Sequence, residues 1–215
     1  MTDIEKSNIM KNYSYVGITF IILIFGIWAV PKIVKSMSET EMVEIGVVPS
    51  FSFTNQDDKV ITNDSYKGKV YVIEFFFTTC PSICPIMNRN MVKIQNEFYG
   101  NPNLGIASFT IDPLIDTPEV LKKYAEAYEI VNPNWNLLTG DKEKIYELAN
   151  SGFNLYVGQN SEVEGGFEHS GFFALIDQEG VIRSRKDENG NPVIYYDGLE
   201  DSGIQMLMED IKKLL

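Results

Sequence analysis

The 215-residue chain is poor in the residues that most often carry chemistry. It has two cysteines, Cys80 and Cys84, and one histidine, His169. A single pair of cysteines excludes a multiply disulfide-linked scaffold. A structural zinc site wants four ligands of that soft kind, and only three are evident. Positive charge is scarce too. Eighteen Lys and Arg stand against 30 Asp and Glu, for a net charge of −12, and no basic stripe interrupts the acidic background. Nucleic-acid binding is excluded on that ground. There is no internal repeat and no low-complexity tract.

One long stretch has no charge at all. Residues 12–31 contain no Asp, Glu, Lys or Arg and are mostly Ile, Phe, Leu, Val and Gly. About 20 apolar residues suffice to cross a bilayer core of about 30 Å. Tyr13, Tyr15 and Trp28 lie near the ends, as interface aromatics do. A cleaved signal peptide is the competing reading, but its apolar core would be shorter, and no small-residue cleavage site follows Trp28. The expected division is a short tail over 1–11, a transmembrane anchor over 12–34, a linker over 35–47 and one domain over 48–215. Lys6 and Lys11 on one side nearly balance Lys32 and Lys35 on the other, so charge does not orient the span. Paired cysteines favour an oxidising compartment. That places the domain on the periplasmic or equivalent outer side of the inner membrane.

What the chain does have is concentrated at residues 75–85, Phe-Phe-Phe-Thr-Thr-Cys-Pro-Ser-Ile-Cys-Pro. An apolar strand over 70–77 runs into both cysteines, and a helical pattern over 87–99 follows, with Pro85 in the place of a first-turn proline. If Cys84 opens the helix, four residues rise about 6 Å, within the roughly 4.4–6.8 Å between Cα atoms that a disulfide spans. The same spacing lets two thiolates hold one soft metal ion. The stretch is redox-active, metal-binding or both. A purely structural disulfide is the plain alternative, but across four residues it closes too small a loop to stabilise much.

The remaining elements follow by pattern. Residues 49–62 read as an entry hairpin and 104–111 as a second apolar strand. A helix over 118–130 is capped by Asp116 or Thr117. A strand over 135–139 and a helix over 141–151 follow, then a brief strand over 153–157 and a loop over 159–166. A hairpin joins 171–177 to 181–185, and a last amphipathic helix over 200–215 carries Ile204, Leu207, Met208, Ile211 and Leu214 on one face. Strands and helices alternating in this order predict an α/β sandwich with a mixed central sheet, thioredoxin-like in placing the cysteine pair between strand and helix. Glu74 interrupts the apolar strand. It is read either as a buried proton acceptor for a thiol or, more plainly, as an edge-exposed side chain.

The cysteine stretch, Asp112-Pro113-Leu114-Ile115-Asp116-Thr117-Pro118, Leu137-Leu138-Thr139-Gly140 and Glu168-His169-Ser170 occur in the order found in the Sco/SenC family, which the chain resembles over residues 48–215. Those are membrane-anchored, thioredoxin-fold proteins that help assemble the copper site of cytochrome c oxidase. The resemblance implies copper as the metal, Cys80, Cys84 and His169 as its ligands, and an oxidase copper subunit or another copper or thiol protein as partner. It also implies that Cys80 and Cys84 cycle between dithiol and disulfide. Soft thiolates do select Cu(I), and imidazole suits copper. Metal binding needs both thiols reduced, so the metal step and the redox step share atoms. The chain departs from the family pattern at Thr79, Ser82, Ile115 and Glu168, none of them an expected ligand. Asp112 and Asp116 are either groups supporting the site, a docking surface, or simple turn and cap residues.

A thiol–disulfide oxidoreductase is the competing enzyme reading. Against it, three residues rather than two separate the cysteines, and residues 158–175 hold no proline, with His169 there instead. A peroxidase of the peroxiredoxin kind lacks its Pro-x-x-x-Thr-x-x-Cys pattern. A redox or copper sensor is the third class.

Overall fold

The computed structural model describes residues 15–31, 42–162 and 165–215. The chain divides into two compact units, residues 1–41 and 42–215, and each is taken by itself.

In the first unit, residues 15–31 form helix α1. Its large apolar side chains are exposed around the whole circumference, from Val16 and Phe20 to Ile27 and Val30. The ends of the expected 12–34 span lie outside the described residues. Among the described residues, no helix is long and apolar enough to cross a membrane.

The second unit is built on a mixed sheet. Its central strand β4 (Val70–Phe76) is made of β-branched and aromatic residues, apart from Glu74, and every one of them is buried. Strand β5 (Leu104–Thr110) pairs with it in parallel, and β6 (Trp135–Thr139) pairs in parallel with β5. Parallel neighbours need crossovers. These are supplied by α2 (Cys84–Glu97) and α3 (Pro118–Ala127). On the other side of β4 lies the antiparallel hairpin β9 (Phe172–Ile176) and β10 (Val181–Arg185). Its turn is closed by Gly180 N–H to Asp177 O, with Gly180 at φ +82°. The edges are β1 (Met42–Val47) on β10, and β2 (Ser52–Asn55) with β3 (Val60–Thr62) on β6. Residues 42–47, assigned to the linker from sequence, are thus a sheet strand. Strand β11 (Tyr196–Asp197) adds a short pairing to β9 that the sequence pattern did not disclose.

Side-chain alternation divides the core into two layers. Phe75 and Phe109 stack on one face with Phe51, Phe53 and Phe153. Phe76, one residue on, faces the helices and meets Tyr124 of α3. There α2 is tied to α3 by Asn88 Nδ2 donating to Tyr124 Oη, and to α5 (Asp201–Leu214) by Lys93–Asp201 and Lys212–Glu97. The predicted apolar face of α5 is the packed one. Ile204, Leu207 and Ile211 are buried, and Met208 and Leu214 lie against the core. Asp141 caps α4 (Lys142–Glu147), accepting from Lys144 N–H, and a π-helical turn, Leu148–Gly152, carries the chain onward. The strand expected over 153–157 lies later, as β7 (Val157–Gln159). It pairs with β8 (Phe167–His169) in a separate two-stranded sheet.

Glu74 has the same parity as Phe76, so it points into the helix layer. It is fully buried, which corrects the edge-exposed reading. A central strand with neighbours on both sides and helices above has no exposed face to offer. Ser108 Oγ donates to Glu74 Oε1 at 2.6 Å, and Trp135 Nε1 donates to Ser108 Oγ. Glu74 Oε2 has no hydrogen-bond partner.

Candidate metal and redox site

The site forms where β4 ends. Cys80 closes a turn, its N–H donating to Phe77 O at 3.3 Å, and Cys84 is the first residue of α2. Pro85 in the first turn gives up no hydrogen bond that the helix needs. Both cysteines are free thiols, Cys84 fully buried and Cys80 nearly so. His169 arrives from the β7–β8 hairpin, at the end of β8 and opposite Val157. That hairpin is held to the π-turn by Asn150, whose amide bonds both Val157 N–H and Val157 O. It is braced by Asn160 Nδ2 donating to Glu168 Oε1.

Phe77 lies beneath the histidine, its ring in edge contact with His169 and tilted against Phe167. Gly165, at φ +89°, brings backbone against Pro81 and Phe77. A Cβ there would sit 3.1 Å from Pro81 Cδ and 3.2 Å from the Phe77 ring. A side chain would lift the hairpin off the cysteine loop. An open pocket of about 240 Å³ lies here, with Cys80, Ser82 and His169 in its wall.

Cys80, Cys84 and His169 each offer one ligand atom, and these atoms lie within 4.8 Å of one another. Cys84 Sγ and His169 Nε2 are 3.1 Å apart. His169 Nδ1 is 3.1 Å from Ser170 O. A carbonyl only accepts, so the proton belongs on Nδ1, and the Nε2 lone pair faces the sulfurs. A backbone carbonyl orienting the far nitrogen is the usual arrangement behind a metal-ligating histidine. Among the described residues no other Cys, His, Asp or Glu joins the group.

The two thiols are electrostatically unequal. The hydrogen bond from Cys84 stabilises the Cys80 thiolate most, outweighing burial. The backbone N–H groups of Cys84 and Ser82 assist, so Cys80 is held far below the ordinary thiol range. Cys84 is pushed up, chiefly by holding the proton it shares with Cys80 and then by burial. A pair with one thiolate in place and a second thiol beside it is suited to disulfide exchange. It is equally suited to a soft cation that displaces the shared proton.

Of the residues that depart from the family pattern, Thr79 and Ser82 are exposed at the mouth, with Ser82 Oγ 3.8 Å from Cys80 Sγ. Ile115 is exposed, and Glu168 serves the hairpin. Asp112 is nearly buried. Its carboxyl is pushed up by desolvation and by Asp116, and Lys142 opposes this. The cap of α3 is Thr117, which accepts from Val120 N–H, so Asp116 is not the cap. Sequence reasoning missed the β7–β8 hairpin and the partners of Asp116. The hairpin strands are only three residues each, and the Asp116 contacts join segments far apart in the chain.

The fold and this constellation define a thioredoxin-like protein whose strand-to-helix cysteine pair is completed by a histidine. The family model described as SCO1/SenC matches residues 40–202, and the chain belongs to that family. It is 34% identical over 167 residues to the SCO1 protein homolog of Bacillus subtilis, covering 77% of this chain and 81% of that protein. Among solved structures it resembles BsSco, described as a member of the Sco family of cytochrome c oxidase assembly proteins with a disulfide switch. That match has 30% identity and TM-score 0.68, covering 82% of this chain and 98% of the other. It also resembles yeast Sco1 with copper bound, at 25% identity and TM-score 0.59, covering 79% of this chain and 91% of the other.

Proposed function

We propose that this chain is a membrane-tethered copper carrier that delivers copper to the copper site of cytochrome c oxidase. Copper is its cargo, held by Cys80, Cys84 and His169. The observation that carries the reading is the convergence of two sulfurs and an oriented imidazole nitrogen within 4.8 Å. Two thiolates and one imidazole form a soft, low-coordinate donor set that suits Cu(I). With three protein ligands, a recipient's sulfur or nitrogen can enter as the fourth and draw the ion away by ligand exchange. Copper bound to yeast Sco1, and the oxidase-assembly role of the Sco family stated for BsSco, support this assignment.

Oxidation of Cys80 and Cys84 to a disulfide removes both anionic ligands, so the redox state gates loading. The tether is the uncharged stretch containing α1, whose exposed apolar side chains have no use in water. The paired cysteines favour an oxidising compartment, which puts the domain on the extracytoplasmic side of the inner membrane. A second role in thiol–disulfide exchange with the recipient site is favoured by the two free thiols side by side at the strand-to-helix junction.

The deciding measurement is titration of the reduced protein with Cu(I) against a competing chelator. One equivalent is expected. Cys80→Ser, Cys84→Ser and His169→Ala are each expected to weaken binding at least about tenfold. Parental affinity in all three variants refutes the reading. Turnover of a disulfide substrate that survives His169→Ala assigns the reductase role instead.

A further inference from the structure

Asp116 is fully buried, and among the described residues its carboxylate engages no cation. It is also released from the cap position by Thr117. Among the described residues its side-chain hydrogen bonds all come from two threonines. Thr78 N–H donates to Oδ2 at 3.1 Å, and the Thr78 hydroxyl donates to Oδ1. The Thr110 hydroxyl donates to Oδ2 and accepts from Asp112 N–H at 3.1 Å. Both carboxylate oxygens therefore hold one residue of the cysteine loop, and Thr110 orients the carboxylate from β5.

The residue held is decisive. Thr78 is the second position of the turn that Phe77 opens and Cys80 closes. Phe77 is fixed by the hairpin that carries His169, Cys84 is fixed by α2, and Thr78 is fixed by Asp116. Cys80 lies between these anchors, its N–H bonded to the Phe77 carbonyl, so its place follows the turn. Burying a carboxylate costs several kcal/mol unless it is well hydrogen-bonded. A turn residue elsewhere on the surface would do without it.

We infer that Asp116 is a positioning residue that sets the Cys80 sulfur within bonding reach of Cys84 and His169. It clamps Thr78 across the gap between the β4–α2 and β5–α3 loops. The inference takes Cys80 as the working sulfur of the site proposed above, but it holds for disulfide formation and for metal binding alike.

The test uses the full chain equilibrated with reduced and oxidised glutathione. In that exchange the Cys80–Cys84 bond forms as one glutathione disulfide is reduced to two thiols, which take up the two protons released. Cu(I) affinity is measured in parallel. Thr78→Val and Asp116→Asn are compared with Thr78→Ser, which keeps the hydroxyl. A further comparison is Leu207→Ala, a core change in α5 remote from the site. Misplacing a reacting group by about 1 Å costs up to about a hundredfold. Thr78→Val and Asp116→Asn are therefore expected to lower the disulfide equilibrium constant at least about tenfold and to weaken Cu(I) binding in parallel. Thr78→Ser and Leu207→Ala are expected to stay within about twofold of the parent, although Leu207→Ala lowers the unfolding midpoint. Should Asp116→Asn not fold, the Thr78 pair decides. A parental equilibrium constant in Thr78→Val overturns the inference, as does an equal shift in Leu207→Ala. If the parent takes up no copper, the carrier reading fails and the glutathione equilibrium still decides the clamp.

Discussion

Glu74 offers a test of the core beneath the site. It is completely buried, with one carboxylate oxygen bonded to Ser108 and the other without a partner. Burial pushes its carboxyl up from the ordinary 4.5 to about 7, and the Ser108 hydrogen bond only partly offsets this. The folded protein thus binds the Glu74 proton more tightly than the unfolded chain. Stability from this group is complete below pH of about 4.5 and is lost as pH rises through about 7. At 1.36 kcal/mol for each tenfold change in proton affinity, the loss is about 3 kcal/mol. Glu74→Gln keeps an acceptor for Ser108 and cannot ionise. Urea unfolding of the reduced 42–215 unit, measured from pH 5 to 8.5, is expected to show the parent falling by about 2.5 kcal/mol relative to the variant, the rest of the loss lying below pH 5. The variant should be the more stable of the two at alkaline pH. If the stability difference between parent and variant is the same at both ends of that range, Glu74 does not titrate as its burial demands.

Two further substitutions test the packing that holds the frame. Arg185 bonds buried Asp210 through Nε at 2.7 Å and Met206 O through Nη2 at 2.9 Å. Arg185→Met leaves that carboxylate with Lys213 and Tyr196 only, and should lower the unfolding free energy by about 3 kcal/mol in chemical denaturation. An unchanged midpoint contradicts it. Gly203 in α5 lies against the backbone of Asp197, where an added Cβ would come 2.2 Å from the carbonyl oxygen. Helix propensity alone favours Gly203→Ala by about 1 kcal/mol, whereas overpacking costs about 1–3 kcal/mol or more. A lower melting temperature is expected, and a higher one shows that α5 moves freely off β11.

Local pattern was enough for everything that depends on neighbours in the chain. The apolar run of β4, the turn at Gly180, the cap at Asp141 and the apolar face of α5 each follow from backbone preference or periodicity. The cysteine pair at a strand-to-helix junction was legible for the same reason, because both sulfurs lie within one turn of each other. His169 could be marked as the only imidazole in the chain, but its approach to the sulfurs depends on a hairpin whose strands are too short to announce themselves.

The tertiary structure alone decided the rest. Glu74 looked like an exposed break in a strand until β5, β9 and the helices closed around it. Asp116 and Thr117 were equivalent as caps by sequence. Only the packing of the β5–α3 loop against the cysteine loop turned one toward the helix and the other toward Thr78. Hydrogen bonds between residues dozens of positions apart leave no periodicity in the chain, because they are selected by the fold as a whole and not by local conformation.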